Sequence, residues 1–240
     1  MAIFAADFET TAQEDDCRVW AWCYADITEP ENCHIGNNIL SFMDEIRETG
    51  GIYYFHNLKF DGNFILYWLL TNGYKWCNAK KPGIGQFTTL ISDMGVWYSI
   101  SIKMLPTKTG VSNMVEIRDS LKVIPLPVEE IPKAYGLEES KLSLDYTSFR
   151  PIGHQLTEHE KDYIKEDVII VAKAMDFMIK NGQKKMTAAS NALADFKSRF
   201  TSKEYKKLVP QLNAIADKDI RRSYKGGWTY LNPKYKNLPI

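Results

Sequence analysis

The stretch FAADFETTAQ, residues 4–13, places two carboxylates, Asp7 and Glu9, one residue apart inside an apolar run. Such a run reads as a β-strand, and a strand sends residues i and i+2 to the same face. The two side chains therefore point together, close enough to repel each other strongly if both are ionised. Something positive should lie between them.

The chain has 240 residues, 45% of them hydrophobic, enough for one large domain or one domain with an appendage. No run of about 18 apolar residues occurs, so no membrane span is read. The chain goes straight into MAIFAADF without a basic leader segment, so no secretory signal is read either, and a cytoplasmic location is expected. Four cysteines, Cys17, Cys23, Cys33 and Cys77, form no C-x-x-C pair and have no matching histidine spacing. They read as reduced packing residues rather than zinc ligands. The zero net charge conceals a division: residues 1–179 hold 16 Lys and Arg against 26 Asp and Glu, a net of −10, whereas residues 180–240 hold 14 against 4, a net of +10. KSRFTSKEYKK and RRSYKGGW mix basic and aromatic residues, a combination that meets phosphates and stacks on bases, and equally one that forms a solvated helical face.

Hydrophobic period predicts strands in AIFAADFET and CRVWAWCYADI, a helix in NNILSFMDEIRETG closed by Gly50 and Gly51, a short buried strand in GIYYFHN, and a helix in GNFILYWLLTNG. Residues 85–121 read as three strands, paired antiparallel, with turns at 93–95 and 107–110. Pro125, Pro127 and Pro132 mark a loop, followed by a short helical piece that Gly136 stops. The clearest helix is LTEHEKDYIKEDVIIVAKAMDFMIKNG, with Thr157 and Glu160 as a capping box and Gly182 at its end. Another amphipathic helix is predicted over 186–200, then a basic stretch.

Two further acids stand where these elements could bring them to Asp7 and Glu9. Asp61 lies at the turn between the GIYYFHN strand and the next helix, and Asp167 shares a helix face with Tyr163 at i and i+4. Taken singly, Asp61 reads equally well as a helix-start acid, and Tyr163 with Asp167 as an ordinary surface pair. As a set, hard oxygen ligands suit Mg²⁺ or Mn²⁺, and two such ions about 4 Å apart can hold the attacking and leaving oxygens of a phosphodiester displacement. Cations there would let Asp7 and Glu9 stay ionised side by side.

The segments DFET, FHNLKFDGNF and YIKED, with CRVWAW, DSLKVIPLPV, RPIG and YKGGW around them, resemble in order and spacing the N-terminal 3′–5′ exonuclease domain of the protein-primed family B DNA polymerases of small tailed bacteriophages. The resemblance implies a ribonuclease H-like α/β fold, with a mixed central sheet, flanking helices and an added β-hairpin, then a short, mainly helical basic tail. It divides the chain into an exonuclease domain, 1–185, and a basic segment, 186–240, that is similar to the start of the polymerase palm and its linker. By position it implies that Asp7, Glu9, Asp61 and Asp167 hold two divalent cations, that Tyr163 orients the attacking water, and that Lys141 assists at the scissile phosphate. Thr10, His56, Asn57, Phe60, Ser120, Leu121 and Tyr146 match positions that grip a single-stranded DNA 3′ end or, in part, the terminal protein. Tyr224, Gly226 and Gly227 match the segment that contacts the template.

The implied reaction is metal-dependent release of nucleoside 5′-monophosphates from single-stranded DNA ends, the proofreading activity, in a phage-infected or prophage-carrying bacterial cell. None of the family's polymerase carboxylate motifs is present in these 240 residues. Nucleotide addition is therefore not expected of this chain alone, whether it is a shortened piece, part of a split or decayed polymerase, or a stand-alone nuclease. Residues 186–240 are expected to pack less tightly than the rest. A second reading stays open: a non-catalytic module that binds single-stranded DNA, a terminal protein or a separate polymerase chain. A ribonuclease or general nuclease of the same fold is a third.

Overall fold

The computed structural model describes residues 1–11, 13 and 15–223. Two compact units divide it, residues 1–192 and residues from 193 onward.

In the first unit eight strands form one mixed sheet: β1 (Ile3–Thr10), β2 (Val19–Asp26), β3 (His34–Gly36), β4 (Gly51–Phe55), β5 (Lys75–Trp76), β6 (Gln86–Ile91), β7 (Trp97–Lys103) and β8 (Met114–Asp119). Their order is β3-β2-β1-β4-β8-β7-β6-β5. The centre is parallel, β1 with β4 and β4 with β8. Antiparallel strands flank it: β2 and β3 beyond β1, and β7 and β6 beyond β8. β6 and β7 are the hairpin expected from the turn at 93–95. β3 and β5, with three residues and two, are too short to give a period and were not expected.

β1 explains the two-layer core. Phe4, Ala6 and Phe8 face α1 (Ile39–Thr49) and α2 (Leu58–Thr71), where they join Phe42, Tyr53, Phe55 and Ile65. Ala5 faces the other way, with Ala21, Cys23 and Ala25 of β2, toward α4 (Glu158–Lys180). These small side chains let α4 lie close against β1 and β2, and its Ile164, Val168, Val171 and Met175 fill that layer. By strand alternation Asp7 and Glu9 belong to the α4 face as well.

The expected capping box of α4 is present: Thr157 accepts from the Glu160 N–H, and Glu160 accepts from the Thr157 N–H. The short helical piece is α3 (Ile131–Tyr135), preceded by a 3₁₀ turn and ended by Gly136 at φ 66°. α2 begins earlier than expected, at Leu58, because Asn57 adopts the left-handed conformation at φ 71° and turns the chain directly from β4 into the helix. Asp61 is consequently inside the first turn of α2, not in the turn before it.

α5 (Ala188–Ser198) spans the division between the units. The basic stretch beyond it forms α6 (Ser202–Leu208) and α7 (Ala214–Ser223), the mainly helical tail that the resemblance implies. α6 carries its own capping box, Thr201 with Glu204.

Candidate active site

Each parallel strand delivers functional groups at its carboxyl end, where open α/β sheets place their ligands. β4 pairs with β1 only from Ile3 to Ala6, so the last residues of β1, with Asp7 and Glu9, extend past it. β4 runs on into His56, Asn57, Phe60 and Asp61, and β8 into Ser120 and Leu121. From the other side, α4 lays Tyr163 and Asp167 across the two β1 acids.

Oxygens of Asp7, Glu9 and Asp167 lie within 4.8 Å of one another. They line an open cavity of about 320 Å³ together with Thr10, His56, Phe60, Lys141, Tyr146 and Tyr163. Glu9 and Asp167 are buried, and Asp7 is partly exposed. Asp61 is buried nearby and stands outside the trio and the cavity lining. It is close enough that the Asp7 and Glu9 charges act on it.

Four clustered acids leave their mark on ionisation. Burial, then the Asp167 charge, push Asp7 up to about 7, against the pull of Lys141. Burial, then Asp7 and Asp167, push Glu9 up to about 9. Asp61 is driven well above the carboxylate range by burial and then by Asp7. Asp167 is also raised by burial, although Lys141 restrains it. The Lys141 ammonium lies 3.1 Å from Asp167 Oδ2, and that attraction outweighs burial and raises its own pKa. Lys141, with Arg150 acting on Glu9 besides, still leaves four acids short of positive charge.

Two carboxylate oxygens in this cluster, Asp61 Oδ1 and Asp167 Oδ1, are buried without a hydrogen-bond partner among the described residues. A bare carboxylate oxygen inside a protein is costly unless something cationic meets it. The donor set consists only of carboxylate oxygens, which suits a hard divalent cation such as Mg²⁺ or Mn²⁺. The residues therefore fit the ions expected from sequence.

Tyr163 is buried, and its hydroxyl lies 2.7 Å from that of Tyr146. Burial, and then the Tyr146 hydrogen bond, raise its pKa far above the ordinary phenol value, so it remains a neutral hydroxyl. This differs from the bland sequence reading of an exposed tyrosine. Tyr146 and Phe60 stay roughly half exposed, 52% and 53%, with their rings bordering the cavity.

Other expected residues serve different contacts. Both His56 ring nitrogens are engaged, Nδ1 with Ser120 Oγ at 3.0 Å and Nε2 with the Leu126 carbonyl at 2.8 Å, and burial lowers its pKa. Ser120 is fully buried and reaches the Phe55 carbonyl. Asn57 and Leu121 are held through their backbone N–H groups, which both donate to Asp119 Oδ1 at 3.1 and 3.0 Å. Neither lines the cavity. Tyr224, Gly226 and Gly227 lie outside the described residues.

Sequence reasoning missed Asp119, the buried acid that ties the β4–α2 turn to the end of β8. Its signal was an Asp directly before Ser-Leu at a strand end, a common capping position. The stapling of segment 139–157 to α4 was missed as well. This segment has no regular secondary structure, yet it carries Lys141 and Tyr146. Along α4, Lys173 pairs with Glu139, Glu166 accepts from the Ser140 N–H, and His159 meets the Ser143 carbonyl. Asp167 and Tyr163 then hold Lys141 and Tyr146, and Glu160 holds Arg150 and His154.

The sheet order, the parallel centre and the acids at its carboxyl end define a ribonuclease H-like α/β fold with an acidic site. A family model described as DNA polymerase type B, organellar and viral, matches residues 43–238, and the chain belongs to that family. Over 238 residues, 99% of its length, it is 44% identical to the DNA polymerase of Bacillus phage B103 and 42% identical to that of Bacillus phage phi29. The DNA polymerase of Streptococcus phage Cp-1 is 29% identical over 240 residues, covering 93% of the chain. The solved phi29 DNA polymerase complexed with primer-template DNA and incoming nucleotides matches with a TM-score of 0.86 at 40% identity, over 97% of this chain. The same polymerase complexed with single-stranded DNA matches with a TM-score of 0.86 at 41% identity. The chain spans only 41% of the length of the B103 and phi29 polymerases. Among the described residues no helix is long and apolar enough to cross a membrane.

Proposed function

We propose that this chain is a metal-dependent 3′–5′ exonuclease acting on single-stranded DNA ends, the proofreading part of a protein-primed family B DNA polymerase. The observation that carries the reading is the convergence of Asp7, Glu9 and Asp167 within 4.8 Å, beside a buried neutral tyrosine, in an open cavity edged by exposed aromatic rings. The family relationship adds to it, since relatives of this chain are phage DNA polymerases and one of them is solved with single-stranded DNA.

In this reading Asp7, Glu9, Asp167 and Asp61 hold two Mg²⁺ or Mn²⁺ ions. When bound, the ions lower the pKa of a water and offset charge on the phosphate oxygens. The protein's own groups do the positioning. Tyr163, neutral at any working pH, orients a water through its hydroxyl and does not act as a base. Lys141 favours the ionised form of Asp167 against burial and adds positive charge where the phosphate becomes more negative. Phe60 and Tyr146 offer ring faces to unpaired bases, and base stacking on such rings is tolerant of sequence. A duplex end presents no unpaired base to them, which favours single strands. The basic segment 186–240 serves as the bridge toward a terminal protein, a polymerase chain or template.

The Asp7→Ala, Glu9→Ala double variant tests the assignment. It is expected to lose cleavage and keep salt-sensitive retention of a single strand on a filter. Cleavage at the parent rate would rule the site out.

A further inference from the structure

Tyr146 meets Tyr163 from a segment with no regular secondary structure, so something else has to fix its position. The surrounding turn is closed partly by Asp145, whose carboxylate accepts from the Thr147 N–H and from the Thr147 and Ser148 hydroxyls. Its anchor to the fold is Arg150. This side chain is only 5% exposed and uses all three of its nitrogens: Nε on Glu160 Oε1 at 2.8 Å, Nη1 on the Ser148 carbonyl at 3.2 Å, and Nη2 on the Asp145 carbonyl at 2.9 Å. Its two backbone acceptors bracket Tyr146.

The guanidinium also lies over an aromatic ring. Its carbon lies 4.1 Å from the centre of the Trp20 ring. Trp20 reaches this layer through a bulge: Glu9 pairs with Ala21 and Thr10 with Val19, so Trp20 is the extra residue of β2. Arg18 donates to the Arg150 carbonyl. Glu160 is fixed in turn by the α4 capping box and by His154 Nε2 at 2.8 Å. Although burial opposes ionisation of Glu160, the donors around it hold its pKa down to about 2, so the carboxylate stays charged.

We propose that Arg150 is a positioning residue: its planar fork sets the 145–148 turn so that Tyr146 holds the Tyr163 hydroxyl at the carboxylate cluster. The inference rests on the exonuclease reading for its kinetic consequence and on geometry alone for its structural one. It separates the fork from the charge. Arg150 also lies near enough to act on Glu9 as a positive charge, a role that a lysine could fill. Lysine cannot supply three donors in one plane or the same stack on Trp20.

The test is a double-mutant cycle of Arg150→Lys with Tyr146→Ala, read by single-turnover cleavage of a 5′-labelled single strand, beside amide exchange of segment 143–149 measured without DNA. If Arg150 acts through Tyr146, Arg150→Lys slows cleavage about 10- to 100-fold, the usual penalty of a misplaced group. It changes strand affinity much less, and it adds little in the Tyr146→Ala background. Exchange at 143–149 rises while the centre of α4 is unaffected. Full activity of Arg150→Lys, or multiplicative effects in the cycle, would overturn the positioning role. If the parent does not cleave, the exonuclease reading fails and exchange alone decides: unchanged protection at 143–149 overturns the proposal. Should Arg150→Lys not fold, Glu160→Gln removes the charge that anchors Arg150 Nε while retaining the side-chain shape, and the same two readouts apply.

Discussion

Replacing an acid of the proposed active site should make this protein more stable, and the pH at which it does so is fixed by the carboxylate cluster. Asp7 ionises ordinarily near 3.8 and is pushed to about 7 here, by burial first and by Asp167 next. Between those values the folded chain retains a proton that the unfolded chain has released, so stability falls as pH rises, and the full penalty is present above about 7. The difference corresponds to roughly 4 kcal/mol at 1.36 kcal/mol per pH unit. Because Asp7 is only partly buried and water can screen it, a gain of about 2 kcal/mol on removing the charge is the working figure. Asp7→Asn keeps the shape and removes the charge. In a unit of 192 residues about 2 kcal/mol raises the melting temperature by roughly 4–8 °C. Thermal melts in chelator at pH 8 should show this rise, and at pH 4.5 most of it should vanish. Manganese should then stabilise the parent more than the variant, because the ion substitutes for the proton. An Asn variant no more stable than the parent at pH 8 in chelator would refute the reasoning.

Three further outcomes follow from particular residues. Tyr163→Phe keeps the buried ring and loses the hydroxyl that meets Tyr146, so cleavage should slow by about 100-fold with strand affinity little changed; an equal rate would remove Tyr163 from the reaction. Gly62 packs α2 against β7, and a methyl there would sit 2.6 Å from Trp97 Cζ3. Gly62→Ala should therefore cost about 1–3 kcal/mol in urea unfolding. Helices α6 and α7 bury no residue among those described, so their amides should exchange far faster than those of β1.

Much of the first unit was legible because its signals are local. The capping box and apolar series of α4 lie within a few residues of each other and need no tertiary context. The alternation in β1 placed Asp7 and Glu9 on one face, although nothing in the sequence said which helix lies opposite. That depended on Ala5, Ala21, Cys23 and Ala25, whose small size matters only once β1 and β2 pair. Asp61 was found and slightly misplaced, because a left-handed Asn57 starts α2 earlier than the hydrophobic pattern does. Arg150 was least legible: RPIG is unremarkable as text, and its role arises from carbonyls at 145 and 148 and from a bulged Trp20 over a hundred residues earlier. Ligand chemistry suggested grouping the four acids, and the family resemblance then gave each of them a place in the metal site.

The most direct test of the central claim is incubation of the purified chain with a 5′-labelled single strand and with its fully paired duplex, in Mg²⁺ or Mn²⁺, beside the Asp7→Ala, Glu9→Ala variant. The account predicts a ladder shortening from the 3′ end, faster on the single strand and absent in the variant. Binding of the strand without any shortening, or shortening that persists in the variant, would contradict it.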